Sequence, residues 1–305
     1  MRNESMNFFP EKLPEDMDNR IALLDRGLEA CTLCPRNCGV NRRNKEKGFC
    51  KTGDKAVVAS YGPHFGEERP LVGTGGSGTI FFGNCNLGCV FCQNFGISHL
   101  GEGQEISIDR LASIMIDLQA QGCHNINLVT PTHQTPMILS ALKAAMENGL
   151  DIPIVYNCGG YESVKTLELL DGIIDIYMPD FKYANEEMSK RFSGAPDYPV
   201  VAGEAVKEMH RQVGDLVINK DGIAVQGLLV RHLVMPGTIA GTAEVLRFIA
   251  EEISANTWIN MMDQYRPCYK AFDCPEISRK VSASEFRGAL KRAVDAGLKR
   301  IDALM

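Results

Sequence analysis

The chain has 305 residues, 45% hydrophobic and 23% charged, with a net charge of −6; this is the make-up of a globular protein with a full core and excludes disordered, collagenous and fibrous classes. With 32 Lys+Arg against 38 Asp+Glu there is no global electrostatic footprint for nucleic acid or an anionic membrane. No apolar run reaches the length of a membrane span, and residues 1–16 lack the apolar stretch of a secretory leader, so the expected location is the cytoplasm.

In chain order, the first predicted element is a helix from Asp18 to Ala30, with Ile21, Leu24 and Leu28 on the face that docks. Residues 31–76 are rich in Gly, Cys, Arg and Lys and show little periodicity, as expected of a segment held by something other than a core. From Thr79 onward, β-branched or aromatic runs alternate with helical patterns, which predicts parallel strands joined by crossover helices. Six such strands are expected: Thr79–Gly83, Asn125–Val129, Pro153–Tyr156, Asp175–Met178, Leu228–Val234 and Trp258–Met262. Helices are expected over Ile108–Gln121 and Pro136–Asn148, a hairpin turn at Asp221-Gly222, and a capping box at Ser282-x-x-Glu285 for the last helix. The division is an N-terminal helix and Cys-rich extension, 1–76, followed by an α/β barrel domain, 77–305.

Ligands of α/β folds sit at the carboxyl ends of the strands. The residues there are polar and Gly-rich: Cys85-Asn86, Thr130-Pro131-Thr132-His133, Asn157-Cys158-Gly159-Gly160, Asp180-Phe181-Lys182, Met235-Pro236-Gly237 and Asp263-Gln264-Tyr265. Six exits converging on one mouth make one site.

Eleven cysteines are an odd number, and seven fall in two short clusters, which argues for metal thiolates rather than disulfides. Cys85, Cys89 and Cys92 form a C-x3-C-x2-C loop directly after a buried strand. A cubane iron–sulfur cluster takes four ligands. Three thiolates leave one iron open to an external molecule, by the logic that separates catalytic from structural zinc sites.

This loop, with aromatic Phe91 before the last cysteine, resembles the radical S-adenosylmethionine (SAM) superfamily. The flanking GSGTIFF and CQN and the later VRHLVMPG resemble its pyruvate formate-lyase activating-enzyme-like branch, of the PflX type. The resemblance implies a partial (βα)6 barrel of the TIM-like kind, a [4Fe–4S] cluster on Cys85, Cys89 and Cys92, and SAM split reductively to a 5′-deoxyadenosyl radical. It also implies an electron donor such as a flavodoxin or ferredoxin. Asp180 and Lys182 match the D-x-K pattern that contacts SAM in activating enzymes, Phe91 matches the position whose backbone lies beside the adenine, and Asn157 falls in the region of a polar contact. Arg231 matches the inward residue of the fifth strand, with His232 facing outward. A Gly-Gly-Glu-type motif expected after the second strand is replaced by Thr130-Pro131-Thr132-His133.

The second cluster, Cys31, Cys34, Cys38 and Cys50, supplies four thiolates and a coordinatively complete site, for zinc as a staple or for a second iron–sulfur cluster as a relay. Arg36, Arg42, Arg43, Lys45, Lys47, Lys51 and Lys55 surround it as one basic patch, which compensates metal–thiolate charge. Cys123, Cys158, Cys268 and Cys274 lack metal spacing and read as small buried hydrophobes, with Cys158 at a strand exit where a thiol has a hydrogen atom to give. His133 reads as a hydrogen-bonded orienter. The expected function is a radical SAM enzyme that removes a hydrogen atom from a substrate the sequence does not name, a protein or peptide or else a small metabolite; the rivals are a non-catalytic iron–sulfur electron carrier and a metal-stapled docking module.

Overall fold

A computed structural model describes residues 14–303. Its strands are β1 (Ala56–His64), β2 (Ser77–Phe82), β3 (Gln104–Ile106), β4 (Ile126–Val129), β5 (Ile154–Cys158), β6 (Ile176–Pro179), β7 (Val217–Ile218), β8 (Ala224–Leu233), β9 (Trp258–Met262) and β10 (Arg300–Asp302). They form one sheet in the order β10-β9-β8-β6-β5-β4-β2-β1-β3, with β7 paired to β8 alone. The six predicted parallel strands are β2, β4, β5, β6, β8 and β9, each hydrogen-bonded to the next in that order. Beyond β9 the three-residue β10 adds a seventh parallel strand. The path has two ends, so the result is a mixed α/β sheet curved as an open partial barrel.

Two further strands were not expected. β1 lies within 31–76 and pairs antiparallel with β2, and β3 pairs antiparallel with β1. Only Ala56, Val57 and Val58 of β1 are buried, and its outer half is largely exposed, so the period-2 alternation that marks a strand never develops. The first helix spans Met17–Arg26, four residues short of Ala30; Leu28 and Glu29 donate instead to Asp25 and Arg26 in three-residue turns. Leu24 and Leu28 are nonetheless buried as predicted. The helices Ile108–Ala120 and Thr135–Glu147 begin and end within one residue of expectation, the turn closes with Gly222 donating to Asn219, and the Ser282–Glu285 capping box forms.

The core has two parts. The larger lies between the strands and their outer helices, where Leu111, Ile114, Met115 and Leu118 of one helix and Ile138, Leu139 and Leu142 of the next are buried. The smaller fills the barrel: Val155, Ile176, Met178, Leu229 and Ala224 enclose Leu71, which comes from the β1–β2 connection. The Leu71 carbonyl accepts from Asn125 Nδ2 at 2.8 Å, just before β4 begins. That connection therefore closes the amino-terminal mouth, and the carboxyl ends of the strands are left for chemistry.

Candidate active site and cysteine cavities

One cavity at the strand exits is lined by Cys85, Cys89 and Cys92 together with Asn157, Asp180, Lys182 and Arg231. Four of the five non-cysteine residues singled out in the sequence thus meet the cysteine loop. Phe91 stands behind it: buried, its ring packs edge-on against Tyr183 and Tyr265. Each sulfur has one hydrogen-bond donor among the described residues. Leu87 N–H reaches Cys85 Sγ at 3.3 Å, the Ser193 hydroxyl reaches Cys89 Sγ at 3.0 Å, and the Ser98 hydroxyl reaches Cys92 Sγ at 3.1 Å. Burial pushes the Cys85 and Cys89 thiols well up, and the Lys182 ammonium pulls Cys89 partly back.

The charged residues are linked in a row. Lys182 Nζ donates to Asp180 Oδ2 at 2.5 Å, Arg231 Nε to Asp180 Oδ1 at 2.7 Å, and Arg231 Nη2 to Asn157 Oδ1 at 2.7 Å. Below them Glu68, from the connection that closes the lower mouth, stands 3.8 Å from Arg231 Nη1 and accepts from Asn260 Nδ2 at 3.1 Å. Burial would raise the Asp180 carboxyl, but Arg231 and Lys182 outweigh it and hold it below the usual range. Burial would lower Lys182, yet Asp180 and Cys89 push it up to about 12. Alternation along β8 sends Arg231 inward as expected, whereas His232 is buried outward between the Phe181 carbonyl and Thr242.

Several residues of this site carry no sequence motif. Tyr198 ties two exits together: its hydroxyl accepts the Lys182 N–H at 2.9 Å and lies 2.9 and 2.8 Å from the carbonyls of Gly159 and Asp180. Gly160 makes that crossing sterically feasible, since at φ +77° a Cβ there would stand 2.3 Å from the Asp180 carbonyl oxygen. Thr130, on the cavity wall, holds φ at 61°, a strained setting for a β-branched residue. Cys158 lines the same cavity and is buried, next to Glu162, a buried carboxyl that accepts from Thr132 and Tyr156. Cys123 is buried too; Cys274 is half-buried and packs against the core, and Cys268 is half-buried, short of the burial expected of it.

The second set, Cys31, Cys34, Cys38 and Cys50, lines one small cavity with Arg36, Arg42 and His133. Burial pushes the Cys34 thiol up to about 12. Gly48 abuts Cys38 so closely that a Cβ there would lie 2.8 Å from its sulfur. The basic patch needs correction: Arg42 is 1% exposed and braces the loop by donating to the carbonyls of Gly53 and His133, because a guanidinium with five donors can satisfy several loop carbonyls at once. Arg43, Lys45, Lys47, Lys51 and Lys55 are exposed. His133 is an orienter as predicted, with Nε2 donating to the Gly83 carbonyl at 2.9 Å and burial pulling its pKa down to about 4. Among the described residues, no three His, Cys, Asp or Glu side chains close on a single ion-sized point.

The family model of the radical SAM superfamily matches residues 79–261. The uncharacterized protein MJ0674 of Methanocaldococcus jannaschii is 33% identical over 288 residues, 92% of this chain and 79% of that one. A second protein of that organism, MJ0808, is 24% identical over 298 residues, 91% of this chain and 81% of the other. Among solved structures, the FeFe-hydrogenase maturase HydG from Carboxydothermus hydrogenoformans aligns with a TM-score of 0.50 at 12% identity, over 72% of this chain. The chain spans half of HydG's length, and that likeness concerns the fold. This protein belongs to the radical SAM superfamily. Its chemistry is accordingly SAM-dependent radical chemistry, carried out by an enzyme with a [4Fe–4S] cluster and SAM. No helix among the described residues is long and apolar enough to cross a membrane.

Proposed function

We propose that Cys85, Cys89 and Cys92 hold the [4Fe–4S] cluster, that Asp180, Lys182, Arg231 and Asn157 hold SAM beside it, and that the enzyme removes a hydrogen atom from a protein or peptide, as the PflX-type members of the activating-enzyme-like branch would. The observation carrying this reading is the meeting of three thiols and the Lys182–Asp180–Arg231 row in one cavity at the strand exits. The donor set fits the cofactors: three cysteine sulfurs line the cavity, which supplies three of the four ligands of a cubane cluster and leaves one corner free. When bound, the pair supplies a 5′-deoxyadenosyl radical by reductive cleavage of SAM.

The chain's own contribution is orientation and exclusion of water. Lys182 presents an ammonium at the exit of β6, a point-charge partner for the carboxylate of SAM. Asp180 fixes that ammonium from below and offers its own acceptors to the amino group. The Ser98 and Ser193 hydroxyls and the Leu87 N–H stabilise negative charge on the cluster sulfurs, which sets its potential. The open sheet leaves a lateral gap that suits a protein loop better than eight closed strands would. An external low-potential donor such as a flavodoxin or ferredoxin supplies the electron, and four thiolates at Cys31, Cys34, Cys38 and Cys50 hold a second metal centre. The cytoplasm is the setting proposed for this chemistry.

The test is anaerobic reconstitution with iron and sulfide, addition of dithionite and SAM, and quantification of 5′-deoxyadenosine. Replacing Cys85, Cys89 and Cys92 by Ala abolishes the product; undiminished cleavage in that variant overturns the assignment. Protein and metabolite fractions of cell extract, separated by size, distinguish the substrate class by which one stimulates 5′-deoxyadenosine release.

A further inference from the structure

The four N-terminal cysteines are joined to the loop of Cys85, Cys89 and Cys92 by two chains of direct contacts. Arg36, two residues after Cys34, donates to the carbonyls of Asn86 at 2.9 Å, Gly194 at 2.5 Å and Ser193 at 3.3 Å. Asn86 follows Cys85, and Ser193 is the residue whose hydroxyl donates to Cys89 Sγ. Phe49 makes a second bridge. Its N–H donates to Cys38 Sγ at 3.4 Å, its ring lies under the Arg36 guanidinium at 3.8 Å, and its Cζ would be 3.2 Å from a Cβ placed on Gly88. One route therefore runs from Cys38 through Phe49 and Gly88 to Cys89, and another from Cys34 through Arg36 and Ser193 to the same sulfur.

The cavity itself is built for an occupant with charge. Arg36 and Arg42 stand on its wall. His133 stands there too, 1% exposed, and with Nε2 spent on Gly83 its Nδ1 is a buried nitrogen with no partner among the described residues. With Nε2 donating, Nδ1 carries a lone pair that the acceptor sulfurs of a cluster cannot satisfy, so the charge of the occupant is met by Arg36 and Arg42 and not by His133. The two guanidiniums stabilise the extra negative charge that reduction adds to an iron–sulfur centre.

We propose that Cys31, Cys34, Cys38 and Cys50 hold a redox-active iron–sulfur cluster that relays electrons to the SAM-cleaving cluster. The inference rests on the reading of Cys85, Cys89 and Cys92 given above. One electron from an external low-potential iron–sulfur or flavin protein reduces the N-terminal centre, the donor being oxidised by one electron, and then passes on to the SAM-site centre. The N-terminal centre is oxidised by one electron, the SAM-site centre is reduced by one, and no proton moves. Exposed Lys45, Lys47 and Lys51 around the site call for an acidic docking face on the donor.

The variant with Cys85, Cys89 and Cys92 replaced by Ala isolates the N-terminal site in the full chain. After anaerobic reconstitution it contains iron and sulfide in equal amounts, about four of each, and dithionite produces an electron paramagnetic resonance signal. Zinc without sulfide, or no metal, overturns the proposal. In the unaltered chain with both centres reduced, the resonance lines are broadened by spin–spin coupling relative to the sum of the singly loaded spectra; an unbroadened sum overturns the wiring. In a third measurement, Cys38→Ser lowers the ratio of ferredoxin-driven to dithionite-driven 5′-deoxyadenosine formation by an order of magnitude. An unchanged ratio overturns the relay. If the unaltered chain yields no 5′-deoxyadenosine with dithionite, the SAM-cleaving reading fails by itself, while the iron and sulfide content still decides the nature of the N-terminal centre.

Discussion

Asp180 is the one anion between two cations, and its removal has a calculable cost. Asp180→Asn keeps the shape of the side chain but leaves Lys182 and Arg231, whose side chains are 16% and 17% exposed, facing each other without their shared carboxylate. Two unit charges about 4 Å apart interact by about 4 kcal/mol at an effective dielectric constant of about 20, and breaking a buried pair by removing one partner costs about 3–5 kcal/mol. The other acidic neighbours of Arg231 are Glu68, 3.8 Å away, and Glu67, and they recover only part of this. A chain of this length has an unfolding entropy of about 0.6 kcal/mol/K, so the variant should melt roughly 5–8 °C lower. Differential scanning calorimetry of the anaerobic protein without SAM measures the shift. Neutralising one stranded cation must restore part of the loss, so Asp180→Asn combined with Lys182→Met is expected to melt above the single variant. A single variant within 1 °C of the unaltered protein, or a double variant no more stable than the single, would refute the electrostatic reasoning.

Three other outcomes follow from the geometry. Lys182→Ala weakens SAM binding to the reconstituted enzyme in a titration, and unchanged affinity would remove Lys182 from the SAM site. Gly48→Ala, whose Cβ would crowd Cys38 Sγ at 2.8 Å, lowers the metal content of the N-terminal site, whereas Gly53→Ala, with open space at its Cβ, leaves it intact; equal losses would show that the crowding is irrelevant. Burial pushes the Glu162 carboxyl up to about 7 against 4.5 in the open chain. The folded state therefore keeps a proton that the unfolded state releases, so this contribution is complete below pH 4.5 and is lost as the pH rises toward 7. It amounts to about 3 kcal/mol at most, and Glu162→Gln should flatten the slope of the urea midpoint between pH 5 and pH 8 relative to the unaltered protein. Identical slopes would exclude Glu162 as its source.

Local chemistry was legible in the sequence wherever it repeats with the period of an element. The six parallel strands and their polar exits follow from alternation and turn residues; alternation also sends one of Arg231 and His232 inward, while the choice of Arg231 comes from the family resemblance, and Asp180, Lys182 and Asn157 meet because those exits converge. What escaped was long-range. Glu68 sits in a connection without periodicity, and only the folding of that connection into the barrel brings it to Arg231. Ser193 and Tyr198 lie more than ten residues beyond β6, at unremarkable positions, and nothing in their spacing announces that one hydroxyl will meet Cys89 and the other the backbone of Lys182. Arg42 looked like a surface charge because counting basic residues says nothing of which way each one turns.

The open sheet has a bearing on how the molecule behaves in concentrated solution. A barrel that does not close keeps two rows of unpaired backbone groups, which invite strand addition from a second chain. Here both margins are blunted. At one end β1 covers the side of β2; β3, only three residues long and carrying Glu105, borders β1 over Ala56–Val58, and the rest of the β1 margin is broken by an irregularity after Val58 and by Pro63, which has no N–H to offer; at the other, β10 is also three residues long and has Arg300 and Asp302 at its two ends. Short, charged margins give a neighbouring chain little to pair with, so the molecule can keep a gap in its wall without that gap becoming a template for aggregation.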